Sequence, residues 1–226
     1  VFDTHAQAWQ PFLIARYGAG FTEAVLATAR AEHEALIPTL PYIGGDGNEM
    51  TRHLIRCTTS LALYKAMKAR GKTAQETGKV IYDAVADQVS RLPRLPAEPL
   101  THAEIETKRA QAQQSHERRY PEDWVWDFVE GDGIAFDYGY DFYECTTFRL
   151  YQVHGADEFL PYYCFLDFVT VLRTGWGFTR TMTLGEGYDH CDFRFKLGGG
   201  TDSAWPPPFL RTGGDDRVAT RNQEAD

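Results

Sequence analysis

What the chain lacks narrows it before any motif is considered. No stretch of its 226 residues comes near the roughly 18 consecutive apolar residues of a membrane span, so no membrane partner is expected. The opening VFDTHAQAWQPFLIARYGAGF has no charged n-region followed by a small-residue cleavage site, so it does not read as a secretory signal. Positive charge is scarce, with 23 Lys and Arg against 32 Asp and Glu, a formal charge of -9 and a pI of about 5.3. A field of that sign repels phosphate, which argues against a nucleic-acid partner; a strongly anionic substrate would need a local cationic pocket. Cysteine is sparse too. Cys57, Cys145, Cys164 and Cys191 are too few and too far apart for a disulfide framework, and neither a CxxC pair nor a His-x-x-x-His spacing gives zinc a local signature. The expectation is a reduced, cytoplasmic protein with free thiols, no cofactor and no metal, taking a small-molecule substrate; a homo-oligomer is left open.

What is present is enough for a core: 43% of the residues are apolar and 14% aromatic. The first ninety or so residues read as helices. FTEAVLATARAEHEALIPTL has helical spacing with Thr22 as its N-cap, and PYIGGDGN breaks it. EMTRHLIRCTTSLALYKAMKARG resumes the spacing, with Gly71 as its stop. TAQETGKVIYDAVADQVSRL opens on a capping box, Thr73 with Glu76. The proline-punctuated RLPRLPAEPL is a linker, and THAEIETKRAQAQQSHERRYP is a helix polar nearly all round, hence a surface or bridging element.

At Trp124 the character changes. WVWDFVEGDG and IAFDYGYDFYEC are aromatic and β-favouring around Gly-Asp-Gly, the signal of a strand, a turn and a strand. TTFRLYQVHGADEFLPYYCFLDFVTVLRTG reads as helix broken at Gly155 and Pro161, and FTRTMTLGEG and HCDFRFK as two more strands. The architecture predicted is α+β: a single domain over 1–197, with a helical half (1–120) and a sheet-containing half (121–197), and a Gly/Pro-rich extension over 198–226.

Three spots concentrate chemistry. On LPYYCFLDFVTVL, Cys164 and Asp167 share an apolar helical face with Leu160 and Val171. An aspartate there caps a backbone turn, pairs with an arginine such as Arg194, or is a tuned acid beside a thiol. On the last strand, alternation sends Cys191, Phe193 and Phe195 one way and His190, Asp192 and Arg194 the other; Cys191 is then either a small hydrophobe or, at a bulge, a partner of His190. Cys145 ends a strand just before a helix, where a helix N-terminus lowers a thiol's pKa if the thiol is not simply packed.

Together these residues resemble something specific. The run C…GADEFLPYYCFLD…TMTLGEGYDHCDFRF is similar to the C-terminal signature of the L-2-amino-thiazoline-4-carboxylic acid hydrolase family. There a cysteine before a helix, a Cys-x-x-Asp on the next helix and a closing G-x-x-x-C-D-F-R-F/Y strand recur in this order. The matching positions are Cys145, then Cys164 with Asp167, then Gly187, Cys191, Asp192, Phe193, Arg194 and Phe195. Upstream, LPYIGGDGN and KARGKTAQETG look like the family's first half, so that the resemblance spans roughly residues 35 to 197.

The resemblance implies hydrolytic opening of a cyclic amidine or thiazoline, at a non-peptide C–N or C–S bond, to an N-carbamoyl-cysteine type product. A thiolate would add to the ring carbon between nitrogen and sulfur, an acid would protonate the ring nitrogen, and a base would activate water. In that scheme Cys191 is the first choice of nucleophile, with Cys164 and Cys145 behind it. Asp167 is the acid/base or orienting group and His190 the proton shuttle or substrate contact. Arg149, Arg180 and Arg194 are candidates to hold a substrate carboxylate, with Asp192 beside them. The rival is a non-catalytic module in which the cysteine cluster binds a small molecule or, with Asp167, a zinc or iron ion.

Overall fold

The computed structural model describes residues 1–211. Five helices come first: α1 (Phe2–Tyr17), α2 (Ala19–Leu36), α3 (Met50–Lys68), α4 (Ala74–Arg91) and α5 (His102–His116). After them come β1 (Val125–Glu130), β2 (Tyr138–Glu144), α6 (Thr146–Val153), α7 (Leu160–Thr170), β3 (Trp176–Thr179), β4 (Cys191–Leu197) and one helical turn, α8 (Pro208–Arg211). This is the α+β architecture expected. No helix among the described residues is long and apolar enough to cross a membrane.

Local chemistry accounts for most of the boundaries. Thr73 and Glu76 form the reciprocal capping box at the start of α4, and Thr101 with Glu104 repeats it on α5. α3 stops in a Schellman arrangement: the Lys72 N–H reaches the Met67 carbonyl and the Gly71 N–H reaches Lys68, with Gly71 at φ +74° where only glycine is unstrained. α2 starts earlier than its Thr22 suggested. Gly18 is the N-cap, and Thr22 lies one turn inside, donating its hydroxyl back to the Gly18 carbonyl at 2.8 Å. Pro161 opens α7 rather than breaking a longer helix, because its missing N–H costs nothing in a first turn.

The sheet is antiparallel in the order β1-β2-β4-β3. Its register places Phe142 opposite Cys191, Tyr140 opposite Phe193, and Tyr138 opposite Phe195. One face is therefore aromatic. Phe193 meets Phe142 at 5.2 Å and Phe178 at 5.5 Å, and Phe195 stacks on Tyr138 at 4.8 Å. The opposite face carries Asp127, Asp141 and Arg194, and Arg194 donates to Asp141 at 2.7 Å. Gly139 makes room for this, since a Cβ there would lie 2.9 Å from the Arg194 chain. α5 runs along the β1 edge, where the Ser115 hydroxyl bonds both the N–H and the carbonyl of Trp126; only Ala112 of this helix is buried.

α1 to α4, α6 and α7 share one core that includes Leu13, Val25, Leu61, Tyr64, Val80, Tyr151 and Phe159. The stretch expected to continue as a strand after β3 does not. Residues 180–183 leave the strand and are tied to β4 mainly by the Asp192 side chain, with one backbone bond from the Asp192 N–H to the Met182 carbonyl at 3.3 Å. Of the expected extension, 198–211 packs back onto α4 and α7 through Trp205 and Phe209, while 212–226 lies outside the described residues.

Candidate functional site

The site starts from the segment that fails to be a strand. Asp192, second residue of β4, is 6% exposed. Its carboxylate accepts from the N–H of Thr181 (2.8 Å), the N–H of Met182 (2.5 Å) and the hydroxyl of Thr181 (2.7 Å). Next to it, the Cys191 sulfur accepts from the Leu184 N–H at 3.2 Å. Cys191 and Asp192 together thus hold the loop that follows Arg180. Thr183 closes that loop by capping a short helical turn, with Gly187 at φ +93° ending it.

This brace fixes Arg180. The Arg180 side chain is 4% exposed, and it crosses to α7, where it donates to Asp167 Oδ2 at 2.7 Å and to the Cys164 carbonyl at 2.8 Å. Its guanidinium also lies over Phe193 at 4.9 Å, Phe168 at 5.3 Å and Phe178 at 5.8 Å. Asp167 keeps 43% of its side chain exposed, so the pair is dry at the guanidinium and wet at the carboxylate. The aspartate on the apolar stripe does have an arginine partner. It is Arg180, not Arg194.

The thiols converge. Cys145, Cys164 and Cys191 lie close enough that Cys145 and Cys191 each raise the pKa of Cys164, and Cys145 raises that of Cys191. Burial is nevertheless the dominant cause in each. It pushes Cys191 up to about 12, against an opposing Leu184 N–H, and Cys164 well above the ordinary thiol range, against Arg180. Cys145 is the N-cap of α6, its sulfur accepting from the Phe148 N–H at 3.4 Å. The helix N-terminus expected there is present, yet burial outweighs it and the thiol rises. Cys145 and Cys164 keep some exposed surface as residues, but protonation follows the surroundings of the sulfur, which are dense. All four cysteines are free.

Two groups on α3 were missed by the sequence reading. His53 and Cys57, spaced i and i+4, project toward α6 and α7; that spacing was the available signal. Cys57 is fully buried, bonded to the Thr147 hydroxyl at 3.1 Å and the Tyr163 hydroxyl at 3.2 Å, and burial lifts it to about 12. His53 lies against Trp124 and Tyr163, and burial lowers its pKa while the charge of Asp167 opposes the shift. A neutral imidazole in the field of a carboxylate is the form a general base takes.

Other expected site residues are elsewhere. His190 is on the far side of β4 from Cys191, as alternation predicted; it bonds Asp189 at 2.6 Å and stands 3.9 Å from Asp141. No bulge brings it back. Arg194 shares that face with Asp141. Arg149 is committed to Glu122 and Glu144 at the surface. Asp192 is wholly engaged by its loop.

A cavity of about 220 Å³ opens at the converged group, lined by Pro161, Cys164, Phe165, Phe168, Arg180, Thr181, Thr183, Glu186, Pro208 and Phe209. Two more open grooves elsewhere are larger, but neither contains a thiol. Cys164 is the one cysteine that lines the cavity; Cys191 does not. Among the described residues, no group of three or more His, Cys, Asp or Glu is arranged to hold a metal ion.

Residues 51–195 match the family described as L-2-amino-thiazoline-4-carboxylic acid hydrolase. No curated protein matches the chain, and no solved structure does.

Proposed function

Because the chain belongs to the L-2-amino-thiazoline-4-carboxylic acid hydrolase family, we propose that it hydrolyses a small cyclic amidine of the thiazoline type in the cavity beside Arg180. One observation carries the assignment of the site: a buried arginine, a half-exposed aspartate and a cavity-lining thiol are hydrogen-bonded or adjacent to one another, inside the stretch that matches the family. At roughly 30 Å³ per water, the cavity holds about seven waters' worth of liquid, which suits a ring with one or two substituents.

The chemistry follows from what these groups do to charge. A protonated amidine is planar and doubly N–H bearing, and a carboxylate is its bidentate partner. Asp167, with one oxygen on Arg180, presents the other to solvent and stabilises the protonated ring, which makes the carbon between nitrogen and sulfur electrophilic. Cys164 then adds to that carbon. Its proton passes to a nearby base, the ring C–S bond breaks, and the ring sulfur leaves as a thiol. Water, activated at Asp167 or His53, attacks the resulting isothiourea and releases Cys164, leaving a urea-bearing, N-carbamoyl product.

At rest the thiols are held protonated by burial, so activation waits for the substrate's cation. Placed beside Cys164, that charge adds to the pull of Arg180 and lowers the cost of the thiolate. The same raised thiols favour a second reading, in which water activated at His53 attacks directly and the cysteines only shape the pocket. Cys164→Ala separates the two. Loss of turnover by roughly 10³-fold or more with an unchanged melting temperature supports the covalent route. Turnover within a few-fold of wild type removes it in favour of water attack. Absence of any hydrolysis of L-2-amino-thiazoline-4-carboxylic acid by the wild-type chain would sink the substrate assignment itself.

A further inference from the structure

The family match ends at residue 195, but the cavity does not. Two of its lining residues, Pro208 and Phe209, come from the segment that follows the last strand. That segment is fastened to the core at several points. The Phe178 N–H donates to the Thr201 hydroxyl at 2.8 Å, and Gly177 and Gly199 approach so closely that a Cβ on Gly177 would lie 2.4 Å from the Gly199 backbone. Tyr82 of α4 donates to the Ser203 carbonyl at 2.9 Å. Trp205 packs on Tyr82 at 5.2 Å and on Tyr162 at 6.0 Å, and Phe209 meets Tyr162 edge-on at 5.2 Å. Tyr162 is itself pinned, since Gly78 of α4 lets it approach to where a Cβ would be 2.7 Å away. Arg211 closes the segment on itself, bonding Asp202 at 2.8 Å and the Pro206 carbonyl at 2.7 Å.

The lining residues are of two kinds: Arg180, Thr181, Thr183, Glu186 and Cys164 on one hand, and the apolar Pro161, Phe165, Phe168, Pro208 and Phe209 on the other. Part of the apolar set, Pro208 and Phe209, comes from outside the family match. We propose that residues 203–211 form the specificity-determining wall of this site, with Phe209 setting how large a ring the cavity admits. The inference rests on the function proposed above for its substrate side, and on geometry alone for the wall. A wall fixed by ring stacking admits a flat, unsubstituted five-membered ring and rejects one bearing methyl groups out of its plane. Truncating Phe209 removes apolar lining and leaves every polar lining residue in place, so the effect falls on selectivity between rings.

Phe209→Ala is the test, with Phe209→Leu as the variant that keeps most of the packing if the alanine form fails to fold. Activity is read as kcat/KM for L-2-amino-thiazoline-4-carboxylic acid and for its 5,5-dimethyl derivative. The ratio should move toward the dimethyl compound by about tenfold or more, the range that one or two methyl groups command in an apolar pocket. A ratio unchanged within twofold in a folded variant overturns the proposal. A second readout needs no turnover: alkylation of Cys164 by iodoacetamide, mapped by mass spectrometry, should be severalfold faster in either variant, with Cys57 unaffected. Equal Cys164 rates in wild type and variants overturn the wall even if the protein hydrolyses neither ring, an outcome that would count against the proposed function instead.

Discussion

Replacing Asp167 by asparagine isolates charge from shape at the centre of the site. The magnitude on stability can be worked from its surroundings. Removing one member of a fully buried ion pair costs about 3–5 kcal/mol, because the other charge is stranded. Here the stranded group is Arg180, 4% exposed, but the side being changed is 43% exposed and water already reaches it. Asparagine also keeps an oxygen within reach of the guanidinium, and Arg180 retains the Cys164 carbonyl and three ring faces. Those ring contacts are each worth roughly 0.5–1 kcal/mol or more when desolvated. The expected loss is therefore about 1–2 kcal/mol, a lower urea midpoint with an unchanged slope. Turnover should fall by about 10²–10⁴-fold, the contribution of a positioned acid or base, equivalent to roughly 3–5 kcal/mol of barrier. Urea melts and steady-state kinetics on one preparation give both numbers. Full activity with a large loss of stability would refute the reasoning and leave Asp167 a structural partner of Arg180.

Two further outcomes follow from the same geometry. Asp192→Ala strands the N–H groups of Thr181 and Met182 and should cost about 3 kcal/mol; because the loop also carries Arg180, activity should drop in whatever fraction remains folded at low temperature, and an Asp192→Ala protein as stable as wild type would show that the brace is not needed. Alkaline stability should fall as pH rises above 9: Cys57 and Cys191 hold their protons to about 12 in the native state but release them near 9.0 when unfolded, so each contributes a loss of about 1.4 kcal/mol per pH unit across that window. Denaturant melts between pH 8 and 10.5 should show a shallower decline for Cys57→Ala, and identical slopes would contradict the burial of that thiol.

The sequence carried the frame of this molecule well where physics is local. The capping box at Thr73, the glycine stop at Gly71 and the aromatic alternation of 191–195 are decided within a few residues, and each is where its pattern put it. Thr22 misled because a β-hydroxyl has two local options, capping an N-terminus or bonding back one turn, and Gly18 behind it supplied the break that left only the second. The strand reading of FTRTMT failed at Thr179 for a tertiary reason. The next residues find most of their partners in the Asp192 side chain, and nothing in their own composition announces that. Among the site residues, sequence found the elements but not the pairings. Asp167 was recognised as an aspartate in need of a cation, with an arginine such as Arg194 as the example; that the partner is Arg180 depends on which loop turns back over α7.

That choice bears on how the family's closing motif works. Cys191 and Asp192 stand in the run that identifies the chain, and a conspicuous Cys-Asp pair invites a catalytic role for both. Their contacts point to a division of labour along the strand. Asp192 and the Cys191 sulfur fasten the 181–184 loop, the loop delivers Arg180, and Phe193 lies beneath the Arg180 guanidinium at 4.9 Å. Three consecutive residues of the motif thus converge on the position of one cation, and that cation holds the half-exposed carboxylate and lines the cavity together with Cys164. A buried charge kept in place by a buried charge is costly to build. Its use here is orientation: the guanidinium fork has one acceptor on the α7 backbone and one on Asp167, which fixes the direction of that half-exposed carboxylate. The motif thus reads as the builder of the site around Arg180, and Cys164, one helix away, as the thiol that lines its cavity.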